Sequence, residues 1–108
     1  MADFSFNEMQ ALAKELQEKY KSIWEPQIPE NGRNHLLWMM IEAGEVADII
    51  KKKGDEAIMK DNDIRNDFIE ELCDVMMYFN DVMLCYDISV EDMREIYLKK
   101  HERNMKRW

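Results

Sequence analysis

The chain has 108 residues, a size that suits one domain with a real but small core. Hydrophobic residues make up 46%, which excludes a disordered chain, and the net charge of −8 argues against a grip on polymeric nucleic acid or an anionic membrane. Only three Gly and two Pro punctuate it, and ten Met accompany Leu, Glu and Lys, so a few long helices are favoured over many short strands.

Ser5 with Glu8 makes a capping box that predicts a first helix through about Ile23. Met9, Leu12, Ala13, Leu16 and Tyr20 recur along it at helical spacing. The segment EPQIPENGR follows Trp24 as a Pro/Gly loop, and Asn34 is the expected N-cap of a second helix. That helix ends at Gly54, after Lys51, Lys52 and Lys53, whose charges suit a helix C-terminus. A polar stretch with one helical turn leads into a long helix over about Ile64–Tyr86. Its expected core face is Phe68, Leu72, Val75, Met76, Phe79, Val82, Met83 and Tyr86. Ser89 with Asp92 opens the last helix, which runs through about Lys106. With no internal repeat or boundary, residues 1–108 read as one all-α domain, a four-helix bundle.

The second helix is apolar on more than one face, as LLWMMIEAGEVADII shows. A chain this short could hardly cover it alone, which predicts a homodimer or homotetramer. Cys73 and Cys85 are about 18 Å apart on one helix, too far for a disulfide. They read as buried thiols in a reducing compartment. Without a signal peptide or a long uncharged apolar run, the expected location is cytoplasmic, with no membrane span.

One stripe of the second helix runs Trp38, Glu42, Glu45, Ile49, which sets two carboxylates within an apolar face. The long helix offers Glu71 and Asp74, again three apart and beside its apolar stripe, with Tyr78 one turn on. Two carboxylates about 5 Å apart repel by about 3 kcal/mol at an effective dielectric of about 20. A divalent cation reverses that sign, and oxygen-only donors select Mg²⁺, with Mn²⁺ as a substitute, over Zn²⁺. A single such pair is most often solvated surface; two pairs on adjacent helices point to a metal site. Asp67 with Glu70 and Glu91 with Asp92 belong to the surface class. An EF-hand reading of Asp61-Asn62-Asp63 fails, because Asn66 sits where Gly is needed and Leu72 where the bidentate Glu belongs.

Glu42-Ala-Gly-Glu45 followed by Glu71-Leu-Cys-Asp74 resembles the ExxE and ExxD halves of the MazG-like family of all-α nucleoside triphosphate pyrophosphohydrolases. The resemblance runs from about Arg33 to Trp108 and includes Tyr78, then Lys100, Asn104 and Arg107 ahead of the terminal aromatic. It implies the bundle of that superfamily and an enzyme that splits a (deoxy)nucleoside triphosphate into monophosphate and pyrophosphate, in nucleotide-pool house-cleaning. It further implies that Glu42, Glu45, Glu71 and Asp74 are the catalytic metal ligands. Lys100, Asn104 and Arg107 would contact phosphate or sugar, with Tyr78 near the substrate. Arg33 is a further phosphate candidate, set against the reading of a plain loop residue. Trp24 or Trp38 could stack on a base, although a core or interface role is commoner for Trp. His35 and His101 carry no such signal. The chain departs from many relatives at Ile41, where they place a third acid; dCTPase-like members manage with ExxE alone. Two other readings predict different behaviour: a nucleotide-binding module of the same fold with weak catalysis, and a structural helical dimer whose acids serve solubility.

Overall fold

The computed structural model describes residues 3–107, and all regular structure there is helical. Five helices follow one another: α1 (Phe6–Lys19), α2 (Pro29–Lys53), α3 (Asp55–Lys60), α4 (Asn62–Cys85) and α5 (Val90–Arg107). Trp108, the aromatic that closes the C-terminal motif, lies outside the described residues.

Local chemistry sets the boundaries. The amide of Glu8 donates to Ser5 Oγ at 3.1 Å and the Ser5 amide donates to the Glu8 carboxylate at 3.5 Å, the expected capping box of α1. That helix stops at Lys19 instead of about Ile23. The amides of Ile23 and Trp24 turn back onto the Tyr20 carbonyl, ahead of Pro26, which disfavours helix at the residue before it. The second helix begins at Pro29, five residues before the expected cap Asn34. Pro at the first helical position lacks only an N–H that would have no helical partner, and its fixed φ suits a helix start. Asn34 lies inside α2, where its Nδ2 donates to the Glu25 carboxylate at 3.2 Å.

Gly54 ends α2 at φ 85°, a left-handed conformation that glycine adopts without strain. The polar stretch after it is α3, a fifth and short helix. Asp61 then caps α4, accepting from the amides of Asp63 at 3.0 Å and Ile64 at 3.2 Å. The start of α4 is therefore Asn62. The amide of Asp92 donates to Ser89 Oγ at 3.0 Å, and the Ser89 amide donates to the Asp92 carboxylate at 3.3 Å, so the second capping box also forms.

The packing is organised on α4. Its length lies against α2, with α1 and α3 packed on it as well, whereas α5 packs along none of them. The expected four-helix bundle is thus a bundle of α1, α2 and α4 closed by short α3, with α5 outside it. Gly32 near the start of α2 meets the Tyr86 ring just past the end of α4 so closely that a Cβ there would overlap the ring. The radius of gyration is 16.4 Å, against roughly 13 Å for a compact domain of this length.

The core is correspondingly thin. The buried apolar side chains among the described residues are Ile58, Met83 and Cys85. Three polar side chains, Gln10, His35 and Asn80, are buried with them. Gln10 Nε2 donates to Asn80 Oδ1 at 2.8 Å and Asn80 Nδ2 donates to the Met76 carbonyl at 2.9 Å, a matched pair that fixes the register of α1 on α4. Leu72, Met76 and Tyr86, expected in the core, are exposed, and so is Cys73, which corrects the expectation of two buried thiols. Cys85 is buried as expected, and that burial pushes its thiol up to about 11, with the Asp81 and Glu25 charges adding to the effect, so it is an inert packing group. No helix among the described residues is long and apolar enough to cross a membrane.

Candidate metal centre

The antiparallel faces of α2 and α4 bring acids from both helices to one point. Glu42 of α2 and Glu71 and Asp74 of α4 each offer a carboxylate oxygen, and the three lie within 4.8 Å of one another. All three are half-buried. Helical spacing explains the convergence: Glu71 and Asp74 are three apart and share a face of α4, and Glu42 projects toward that face from α2. Glu45 stands one turn further along α2, is exposed, and is not one of the convergent three. Its charge nevertheless reaches Glu71.

The crowding shows in the acids themselves. Partial desolvation, the Glu42 side chain as hydrogen-bond partner, and the charges of Asp74, Glu42 and Glu45 hold Glu71 above the usual carboxylate range. A half-buried set of oxygen donors that repel one another fits a hard divalent cation, by donor type and by charge.

Glu42 and Asp74 also line a cleft of about 650 Å³. Trp24, Trp38, Met77 and Tyr78 supply its apolar walls, and Glu25, His35 and Asp81 its far end. Trp24 stacks on Tyr20, with ring centroids 4.8 Å apart. Trp38 sits 6.0 Å from Tyr78 and edge-on to His35 at 5.1 Å. Burial, with the nearby charges of Glu42, Asp81 and Asp74, raises the Tyr78 hydroxyl above its ordinary value, so it is a neutral hydrogen-bonding group.

Of the residues singled out in the sequence, Glu42, Glu71, Asp74, Tyr78 and Trp24 are gathered at this centre and its cleft. Arg33 is exposed on α2 and does not line the cleft. Neither do Lys100, Asn104 and Arg107, because α5 stands away from the bundle. The lysines at the end of α2 behave as solvated helix charges, with Lys52 paired to Asp48 at 2.9 Å.

Sequence reasoning missed Glu25, His35 and Asp81. The signal was there in spacing: Asp81 follows Asp74 by seven residues and His35 precedes Glu42 by seven, two turns along the same faces. His35 is 6% exposed, and neither ring nitrogen has a hydrogen-bond partner. Its Nδ1 lies 3.7 Å from Asp81 Oδ2 and its Nε2 lies 3.8 Å from Glu25 Oε1. Burial raises the Asp81 carboxyl, while His35 and the hydrogen bond from Gln27 Nε2 at 2.7 Å oppose that shift.

These shifts have a stability consequence. Glu71 and Asp81 both have folded-state values above their unfolded ones, so the native state holds protons that the unfolded chain has released. Without metal, stability is therefore expected to fall as pH rises through and just above the ordinary carboxylate range, about 4. Melting temperature measured across that window should decline with pH; Glu71→Gln should shallow the decline and leave the Asp81 part. A profile unchanged by Glu71→Gln would contradict the crowding.

No family model matches the sequence, and no curated protein or solved structure matches it.

Proposed function

We propose that the chain is a Mg²⁺-dependent nucleoside triphosphate pyrophosphohydrolase with the fold of the MazG-like enzymes. The observation that carries this reading is the convergence of Glu42, Glu71 and Asp74 at one end of an aromatic-walled cleft. The order of the acid pairs and Tyr78 along the chain supports it. In this reading Glu42, Glu71 and Asp74 hold Mg²⁺ or Mn²⁺, with Glu45 at the edge of the set. A bound ion supplies neutralisation of phosphate charge and a water of lowered pKa. The reaction would add water at phosphorus and break the bond between the α- and β-phosphates, giving a monophosphate and pyrophosphate. One of the four carboxylates would take the proton of that water.

The cleft would take the rest of the nucleotide. Trp24 and Trp38 offer faces on which a base can stack, and Tyr78 offers a neutral hydroxyl between base and phosphates. Phosphoryl transfer also calls for cations, and no Lys or Arg lines the cleft. A second copy would supply them by setting Lys100 and Arg107 of its α5, with Asn104 as a neutral hydrogen-bonding group, against the triphosphate. The exposed Leu36, Leu37, Met40 and Ile41 of α2, and Ile96 and Tyr97 of α5, form the apolar surface such a dimer or tetramer would bury.

Pyrophosphate release from a panel of (deoxy)nucleoside triphosphates tests the proposal. Release with Mg²⁺ that stops on chelation is the expected result; no release from any of them overturns it. Because three acids converge and Ile41 replaces the additional acid of many relatives, a nucleotide-binding module is the second reading. Its signature would be Mg²⁺-dependent thermal stabilisation by a triphosphate without pyrophosphate.

A further inference from the structure

The far end of the cleft is built differently from its walls. It holds two carboxylates, Glu25 and Asp81, on either side of a buried imidazole, His35. His35 has both ring nitrogens buried and without hydrogen-bond partners, and it also lines the cleft. A buried ring with two orphaned nitrogens is costly, so its setting calls for a polar guest or neighbour. The carboxylates are already oriented by other groups. Gln27 Nε2 donates to Asp81 Oδ1 at 2.7 Å, which leaves Oδ2 turned toward His35. Asn34 Nδ2 donates to both oxygens of Glu25, at 3.2 and 3.3 Å. Each carboxylate keeps lone pairs in excess of these donors.

The position relative to the acid centre is also defined. Asp74, Tyr78 and Asp81 follow at spacings of four and three along α4, which puts Asp81 about 10 Å along the helix axis from Asp74. A nucleotide whose phosphates met a cation at Glu42, Glu71 and Asp74 would extend its base toward the Glu25–Asp81 end, between the Trp and Tyr walls.

We infer that Glu25, His35 and Asp81 form a base-reading end of the cleft that selects nucleobases presenting an exocyclic amino group over those presenting only carbonyls at that edge. The inference rests on the nucleotide reading of the acid centre. An amino group donates to Asp81 Oδ2 or Glu25 Oε1 and relieves a crowd of acceptors. A carbonyl in the same place sets its oxygen lone pairs against carboxylate lone pairs, while the side-chain amides of Gln27 and Asn34 already donate to Asp81 and Glu25. A hydrogen bond to a charged group that one analogue makes and the other cannot separates them by roughly tenfold or more.

The test compares two matched pairs, dCTP with dUTP and dATP with dITP, each differing by an amino group replaced with a carbonyl. Binding is measured calorimetrically with Mg²⁺, and pyrophosphate release is followed in parallel. In the wild-type protein at least one amino-bearing member should bind about tenfold more tightly than its carbonyl partner. Asp81→Asn or Glu25→Gln, each nearly isosteric and each adding a donor, should bring that pair within about threefold. Circular dichroism and the response of Glu42→Gln, which should lose pyrophosphate release yet keep the amino preference, provide the controls. Equal binding within both pairs, failure of any nucleotide to bind, or a preference that survives in both Asp81→Asn and Glu25→Gln overturns the inference. Selective binding without pyrophosphate release leaves it standing and removes the enzymatic reading; release without selectivity does the reverse.

Discussion

Asp74→Asn is expected to lower Mg²⁺-dependent pyrophosphate release by about a hundredfold or more. The substitution keeps the shape of the side chain and removes one of the three charges that meet within 4.8 Å. It should not harm the fold, because Asp74 is a like-charge neighbour of Glu71 and helps to raise it. Without metal the variant should melt at the wild-type temperature or slightly above, and added Mg²⁺ should no longer raise that temperature. This opposition, lost turnover with undiminished metal-free stability, separates a metal ligand from a structural residue. Glu45→Gln sharpens the comparison. If the ion is held by the convergent three, this variant loses less than Asp74→Asn; an equal loss would make Glu45 a full ligand drawn in when the ion binds. Full turnover in Asp74→Asn would sink the metal assignment.

Much of this centre could be read from periodicity. The i, i+3 spacing of Glu71 and Asp74 and the apolar surroundings of Glu42 are properties of one helix at a time, and helix geometry carries them into space unchanged. The two capping boxes and Gly54 are equally local, and they stand where the sequence puts them. Failures arose where distant segments compete. Pro29 starts α2 ahead of Asn34, and Asn34, inside the helix, donates to Glu25, nine residues back in the loop. The Glu25, His35 and Asp81 cluster joins a loop and two helices; the spacing of seven puts His35 and Asp81 on the faces of Glu42 and Asp74, but nothing in the sequence shows that the two faces meet or that Glu25 of the loop joins them. Apolar spacing alone defines the expected core face of α4. Asn80, a polar residue, takes a buried place because Gln10 of α1 completes its hydrogen bonds, while Leu72 and Met76 turn outward. The sequence puts the last helix in the bundle, whereas α5 lies outside it and leaves Ile96, Tyr97 and Met105 exposed within one copy.

That thin core sets the second large effect. Met83 is 1% exposed, among the most buried side chains of the described residues, and its sulfur lies 3.8 Å from Gln10 Nε2. Met83→Ala deletes a buried side chain and leaves a void between α1 and α4, at a cost of about 3 kcal/mol. In a domain of this size that lowers the melting temperature by roughly 10–20 °C. It is a large share of the roughly 5–15 kcal/mol that holds a native domain together, so partial unfolding at growth temperatures should follow. Met76→Ala is the informative contrast. Met76 lies two turns from Met83 on α4 and is 45% exposed in one copy. If one copy were the whole structure, its truncation would cost well under 1 kcal/mol, like most surface changes. If a second copy covers this face, Met76→Ala should cost on the order of 2 kcal/mol, and both unfolding midpoints should rise with protein concentration. Urea unfolding of the wild type, Met83→Ala and Met76→Ala at two concentrations tenfold apart measures both. A negligible Met76 effect with concentration-independent midpoints would mean that the thin core stands alone, and the source of phosphate-binding cations would then have to be sought within a single chain.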